Sequence, residues 1–236
     1  MAQATGQVLA WEDSLTYLPR KPVQEFARGR TIYDPQQPCS SLYVVILGRV
    51  KISHLGTGGS QTIVRIAAPE DLFGEWALIG TAGRNESAVA LDHTTVMSWS
   101  REEIEQHIER EPRLGLALAQ HLVRQSLDLL ERMESMAVYK TPERVVLALL
   151  RLAESLGSAQ PDGSARVASL THHTIAQYVG TSREIVTFQM NRLRRMGLLR
   201  YSRQHLDIYP QALRETLREA RVGAMPRPRK AGAAPA

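Results

Sequence analysis

Among its 236 residues the chain has one cysteine, Cys39. A single thiol makes no internal disulfide, no Cys-x-x-Cys redox pair and no four-thiolate iron–sulfur cluster. No apolar run approaches the roughly 18–20 residues that cross a membrane. Residues 1–20, MAQATGQVLAWEDSLTYLPR, lack the basic-then-apolar pattern of a secretory leader, so a cytoplasmic location without a membrane partner is expected. The patterns GxSxG, HExxH and GxxxxGK[ST] are missing and no acid–base constellation stands out, so nothing reads as an enzyme. No metal site is expected either. His172 and His173 are adjacent, which is poor zinc geometry, and they suit the polar start of a helix better.

What is present is ordinary globular chemistry, 43% hydrophobic and 22% charged, enough for one large or two modest domains. The formal net charge of +5 is unevenly spread. Residues 1–111 carry a net charge of −4 and residues 171–236 a net of +8. An acidic front and a basic back predict two tasks, the second facing a polyanion. Arg227, Arg229 and Lys230 lie in a Pro/Ala-rich end expected to be disordered, but the asymmetry survives without them.

From Gly29 to Trp99 short apolar runs alternate with turn signals, as in a compact sandwich or barrel. Ser100 and Glu103 form a capping-box start for a short helix over 104–108. From Pro112 to Tyr139 the period becomes helical. Leu118, Leu122, Leu129, Met133 and Met136 form a stripe with a gap at Gln125, broadly a heptad seam for a second copy of the chain. Packing of this helix on its own domain is the alternative. Thr141, a natural N-cap, and Pro142 open another helix, Glu143–Leu156, and residues 157–166 read as a loop around Pro161-Asp162-Gly163.

Residues 171–193, THHTIAQYVGTSREIVTFQMNRL, carry the function. A first helix turns Ile175, Ala176 and Val179 inward, Gly180 permits a tight turn, and a second helix from Thr181 or Ser182 buries Val186, Met190 and Leu193. This is a helix-turn-helix, whose second helix enters the major groove of double-stranded DNA. Its outward stripe is Glu184, Thr187, Phe188 and Asn191, with Arg183 just ahead, and these are the expected base contacts. Phosphate contacts are expected from Arg192, Arg194 and Arg195, together with His172, His173, Ser182, Ser202 and Arg203. Glu184 also suits a capping box with Thr181, and Phe188 suits the core equally well. Leu198–Tyr201 and His205–Tyr209 flank a polar turn as a hairpin, a wing.

In order and spacing, Leu42-Tyr43, Gly48-Arg49-Val50, Asp71-Leu72-Phe73-Gly74-Glu75, Ser87-Ala88-Val89-Ala90, the long helix and Val179-Gly180-Thr181-Ser182-Arg183-Glu184 resemble the family of the cyclic-AMP receptor protein and the fumarate–nitrate regulator. The resemblance covers about residues 20–213. It implies an α+β protein with an N-terminal β-roll, the jelly roll of cyclic-nucleotide-binding domains, over residues 1–111. A dimerisation helix over 112–139 and a winged helix-turn-helix over 140–213 follow, then a helix end and basic tail over 214–236. It also implies a homodimeric transcription regulator on a pseudo-palindromic site. Arg183 and Glu184 match the family's pair on a guanine and its opposing cytosine, and Phe188 replaces a second base-reading arginine. Gln160-Pro161-Asp162-Gly163 resembles the loop that touches RNA polymerase, an ordinary turn being the alternative.

Gly74 and Glu75 fit the family's phosphate–ribose turn. Before Ser87 and Ala88, however, Glu86 stands where cyclic-AMP binders have an arginine on the phosphate, and a carboxylate repels that anion. Leu129-Leu130 stand where the family has the Thr-Ser pair that meets adenine. The expectation is a regulator with no certain cofactor, whose small-molecule effector, if any, is not cyclic AMP. A shifted loop presenting Arg84 is the alternative, as is a sensor or interaction module that does not bind DNA. Haem would need axial ligands, for which Cys39, His54, His93 and His121 are unremarkable candidates.

Overall fold

The computed structural model describes residues 12–37, 39–56, 59–80 and 85–223. Arg84 and the basic tail after Gly223, including Arg227, Arg229 and Lys230, lie outside the described residues. The chain divides into two units, residues 1–138 and 139–236.

The first unit opens with α1 (Ser14–Tyr17) and the strands β1 (Gln24–Phe26), β2 (Thr31–Tyr33), β3 (Ser41–Leu47), β4 (Val50–Leu55), β5 (Gln61–Ala67) and β6 (Leu72–Phe73). A 3₁₀ turn over Glu75–Ile79 precedes β7 (Glu86–Ala90) and β8 (Thr94–Ser100). They form two four-stranded antiparallel sheets, ordered β1-β8-β3-β6 and β2-β7-β4-β5. Strand β3 explains the apolar stretch 42–45, because side chains there alternate between two buried faces, while Ile46 and Leu47 at its end are exposed. Tyr43 and Val45 join Tyr33, Val50, Ile52, Phe73 and Ala88 in one core, where the Tyr43 and Phe73 rings stack at 5.0 Å. Leu42 and Val44 join Leu72, Trp99, Ile104, Leu114 and Leu118 in the other. Gly74 sits at φ 85° and a Cβ there would lie 2.6 Å from the Ser41 carbonyl oxygen, so only glycine makes this turn.

Helix α2 (Arg101–Arg110) has the expected capping box: Ser100 Oγ accepts from Glu103 N, and Glu103 accepts from Ser100 N at 2.8 Å. Helix α3 (Arg113–Val138) follows. Two residues of the expected seam face the wrong way for it. Leu118 is buried in the second core with Leu114, and Gln125 donates to Glu75 on the 3₁₀ turn. The stripe of identical spacing on the sequence was thus partly the face α3 lays on its own sheets. Farther along, the Arg132 guanidinium donates to the Val64 carbonyl and, at 2.9 Å, to that of Ile63, tying α3 to β5 at the end of its sheet.

The second unit begins with α4 (Thr141–Leu156), which buries Val145, Leu149 and Leu152. Thr141 is the first helical residue rather than the cap, and Glu143 reaches back to accept from Lys140 N at 2.8 Å. Residues 157–166 are not a plain loop. They hold β9 (Ser158–Ala159) and the start of β10 (Ala165–Ala168), joined by a turn with Gly163 at φ 78°. The strands are too short to announce themselves, and although they pair with each other, the second partner of β10 is distant in sequence. After α5 (His172–Val179) and α6 (Arg183–Arg195), β11 (Leu199–Tyr201) and β12 (His205–Ile208) form the wing, in a sheet ordered β11-β12-β10-β9. Helix α7 spans Pro210–Gly223, starting four residues ahead of the boundary expected at 214, and its Leu213 is fully buried.

Candidate nucleic-acid interface and ligand pocket

Helices α5 and α6 cross where Ala176 is buried, and Gly180 turns the chain at φ 73° in the left-handed region. Ser182 caps α6, its hydroxyl accepting from Ile185 N at 3.4 Å. Val186, Met190 and Leu193 are buried beneath the helix. Arg183 and Glu184 are exposed in its first turn, and Phe188 is 60% exposed, so the core placement for Phe188 does not hold. The Glu184 carboxyl is held below its ordinary pKa, first by helix backbone N–H and then by the Ser182 hydroxyl. It therefore stays ionised and able to accept a hydrogen bond from a base.

The other two stripe residues are half-buried and engaged. Thr187 Oγ1 is 2.9 Å from His172 Nδ1, and Asn191 Oδ1 accepts from the Tyr201 hydroxyl at 2.9 Å. The His172 ring meets Tyr201 edge-on at 6.0 Å, and the Arg194 guanidinium lies 5.1 Å from the Tyr201 centroid. Tyr201 is a site residue that sequence reasoning missed, since its meaning depends on the wing folding back onto α6. His173, Arg192, Arg195 and Arg203 are exposed, whereas Ser202 is spent on its own turn, accepting from His205 N and Gln204 N at 3.2 Å. Arg192, Arg194 and Arg195 also complement the negative end of the helix dipole.

The turn Gln160-Pro161-Asp162-Gly163 is held from within. Asp162 accepts from Ser164 Oγ at 2.7 Å, from Tyr209 OH at 3.0 Å and from Arg200. These bonds, Ser164 foremost, hold its carboxyl well below the usual range.

In the first unit the turn at Gly74 presents Glu75 to the long helix. Glu75 Oε1 pairs with Arg65 at 3.0 Å and His121 at 3.1 Å, and accepts from Gln125. Burial pushes this carboxyl up, but His121, Arg65, the backbone and Gln125 outweigh it and leave the pKa at about 2. Glu86 stands at the start of β7, where Tyr33 OH donates to it at 2.6 Å and Trp76 Nε1 at 3.1 Å. For this group burial wins over both donors, and its pKa is raised. Ser87 shares a hydrogen bond of 3.2 Å with Ser53, and Gln61 donates to both hydroxyls. Lys51 reaches the same cluster through Gln61 at 3.5 Å. Ala88 is fully buried core, not a lining residue, because its Cβ points between the sheets. Leu129 and Leu130 are 45% and 59% exposed and offer no polar side-chain atom.

The candidate haem ligands are scattered in role. The Cys39 thiol is buried, donates to the Ser41 carbonyl at 3.1 Å and is pushed up to about 11 by burial, so it stays a protonated core group. His121 is committed to Glu75, while His54 and His93 are exposed.

Comparison with known proteins bears on both units. Residues 23–111 match the cyclic nucleotide-binding domain family, and residues 143–216 match the Crp-like helix-turn-helix domain. The chain is 32% identical over 163 residues to a CRP-like cAMP-activated global transcriptional regulator from Mycobacterium tuberculosis, covering 69% of this chain and 72% of that protein. It is 29% identical to the global nitrogen regulator of Synechocystis over 81% of this chain and 86% of the relative. Among solved structures, a CRP-family transcriptional regulator from Thermus thermophilus superposes with a TM-score of 0.68 at 26% identity, covering 82% of this chain and 96% of that one.

Proposed function

The chain belongs to the Crp/Fnr family of transcription regulators, and from that premise we propose that it acts as a homodimer on a pseudo-palindromic DNA site, independently of cyclic AMP. The observation that carries the DNA reading is the first turn of α6. Arg183, Glu184 and Phe188 are exposed toward the start of the helix that this fold inserts into the major groove, and exposed Arg192 and Arg195 farther along it are the phosphate contacts of this reading.

The dimer seam follows from which face of α3 is left over. Opposite Leu114, Leu118 and Gln125 lie Leu116, Val123, Leu127 and Leu130, each between 50% and 59% exposed. Their steps of seven, four and three residues are those of a coiled-coil seam, and a second copy would bury them. Leu122, Leu129, Met133 and Met136 instead continue the Leu118 stripe beyond the buried core and, at 42–67% exposed, are the other face a second copy could cover. Paired this way, two recognition helices would meet DNA about one turn, roughly 34 Å, apart.

Against cyclic AMP stand Glu86, whose carboxylate meets an arriving phosphate with like charge, Glu75, already saturated by Arg65 and His121, and the apolar Leu129-Leu130 pair. Contact of residues 160–163 with RNA polymerase remains part of the reading, through the exposed turn Pro161-Asp162-Gly163, in which Asp162 is held by Ser164, Tyr209 and Arg200. The deciding experiment is fluorescence anisotropy on palindromic and scrambled duplexes across a salt series. Preferential binding that weakens steeply with salt is expected. Equal affinity for both duplexes would leave only an interaction module.

A further inference from the structure

Four side chains from three elements meet on the outward side of the recognition helix. From α5 comes His172, bonded to Thr187; from β11 comes Tyr201, bonded to Asn191; and the His172 and Tyr201 rings touch edge to face. Each contact is unremarkable alone. Together they engage Thr187 and Asn191 and leave Glu184 and Phe188, on the same stripe, exposed. Asparagine reads an adenine by turning both ends of its carboxamide toward the base. Here Oδ1 of Asn191 faces the wing instead. Thr187, which would otherwise offer a methyl or hydroxyl to a base, is half-buried against a histidine. Burial and the adjacent Arg183 pull the His172 pKa down, which keeps the ring neutral and suited to a hydroxyl partner. The groups that face His172 are thus Arg183, Thr187 and Tyr201, with Arg194 across the tyrosine ring.

The structure assigns Tyr201 and His172 a positioning role: they clamp α6 through Asn191 and Thr187 and so fix its roll, while base reading falls to Arg183, Glu184 and Phe188. This rests on the DNA-binding reading above. It removes Asn191 and Thr187 from the base contacts expected on the sequence and makes the wing a determinant of specificity without touching a base. A helix that rolls about its axis moves all three readers together, so loosening the clamp blurs every base preference at once. Loss of a reader, in contrast, erases preference at one base pair.

The test uses the full-length protein and a duplex selected by the unaltered protein from a randomised pool. Tyr201→Phe and Asn191→Ala are each expected to weaken the selected duplex about three- to tenfold and leave a scrambled duplex unchanged. The double variant should be no worse than Asn191→Ala alone, because both remove one bond. Repeating the selection with either variant should return the same consensus with lower preference at all its positions. Should Tyr201→Phe fail to fold, His172→Ala breaks the clamp from its other end and is expected to give the same pattern. An Asn191→Ala variant that loses preference at one base pair only, in the Tyr201→Phe background as well, overturns the assignment. So does a Tyr201→Phe variant indistinguishable from the unaltered protein. If the unaltered protein selects no duplex at all, the DNA-binding reading fails first and takes the clamp with it.

Discussion

Glu75 and Glu86 lie within one domain and their surroundings drive them in opposite directions. Glu75 has a folded pKa of about 2 against an ordinary 4.5, because His121, Arg65 and Gln125 favour its charge. The folded state therefore binds fewer protons than the unfolded chain between those values. The stability this group adds is present above about pH 4.5 and is lost as pH falls toward 2. Glu75→Gln should lower the melting temperature at pH 7, with the difference from the unaltered protein closing near pH 2. Glu86 is raised, chiefly by burial, so its ionisation opposes folding. Glu86→Gln should raise the melting temperature at pH 7.5, with the gain shrinking as pH falls toward 4.5 and absent below it; no gain at pH 7.5 would mean Tyr33 and Trp76 fully offset the buried charge. On α6, Arg183→Ala should cost roughly 1–3 kcal/mol on the cognate duplex and relax one base pair. Arg192→Ala should weaken all duplexes alike and flatten the salt slope, and equal losses from both variants on specific and random DNA would erase the distinction.

At the scale of elements, α3 has two apolar faces with different expected fates. Val123→Glu combined with Leu127→Glu should give a monomer in analytical ultracentrifugation while the first unit stays folded, since both side chains are exposed. Leu118→Ala should cost about 2–5 kcal/mol in urea unfolding with the dimer retained, because it leaves a cavity in a filled core. A dimer that survives the double glutamate change moves the seam off this face. The sequence pattern alone made α3, the helix-turn-helix and the wing legible, since each rests on local periodicity and a turn residue such as Gly180. Which apolar face of α3 packs on its own unit was not legible, because Leu118 and Leu116 are equally apolar and only the tertiary packing around Leu118 separates them. Strands β9 and β10 were missed for a similar reason. Ser158–Ala159 and Ala165–Ala168 have no alternation of their own, and their sheet is completed by β12, about forty residues on.

For the whole molecule, the first unit is net acidic and the second net basic, and an anionic effector would have to enter the acidic one. Calorimetry on the full-length protein should detect no micromolar cyclic-AMP binding, and adding the nucleotide should leave DNA affinity unchanged. Glu86→Arg should improve affinity for a cyclic phosphate by replacing repulsion with a charge-assisted bond. Micromolar binding by the unaltered protein, abolished in Arg84→Ala, would instead restore a cyclic-nucleotide-responsive regulator.

Strand β5 ends its sheet, and an unprotected terminal strand invites another chain to add on. The strand is bulged at Val64, which has no partner on β4, and Arg132 occupies the carbonyls of both Ile63 and Val64. A charged side chain on the long helix thereby covers part of that terminal strand. Arg132→Leu would leave the fold's cores untouched yet expose a strand of high β-propensity, Thr62-Ile63-Val64, and light scattering on warming should reveal aggregation well before the unaltered protein clouds. The same helix that the sequence offers for pairing two copies would then also be what keeps their number from running beyond two.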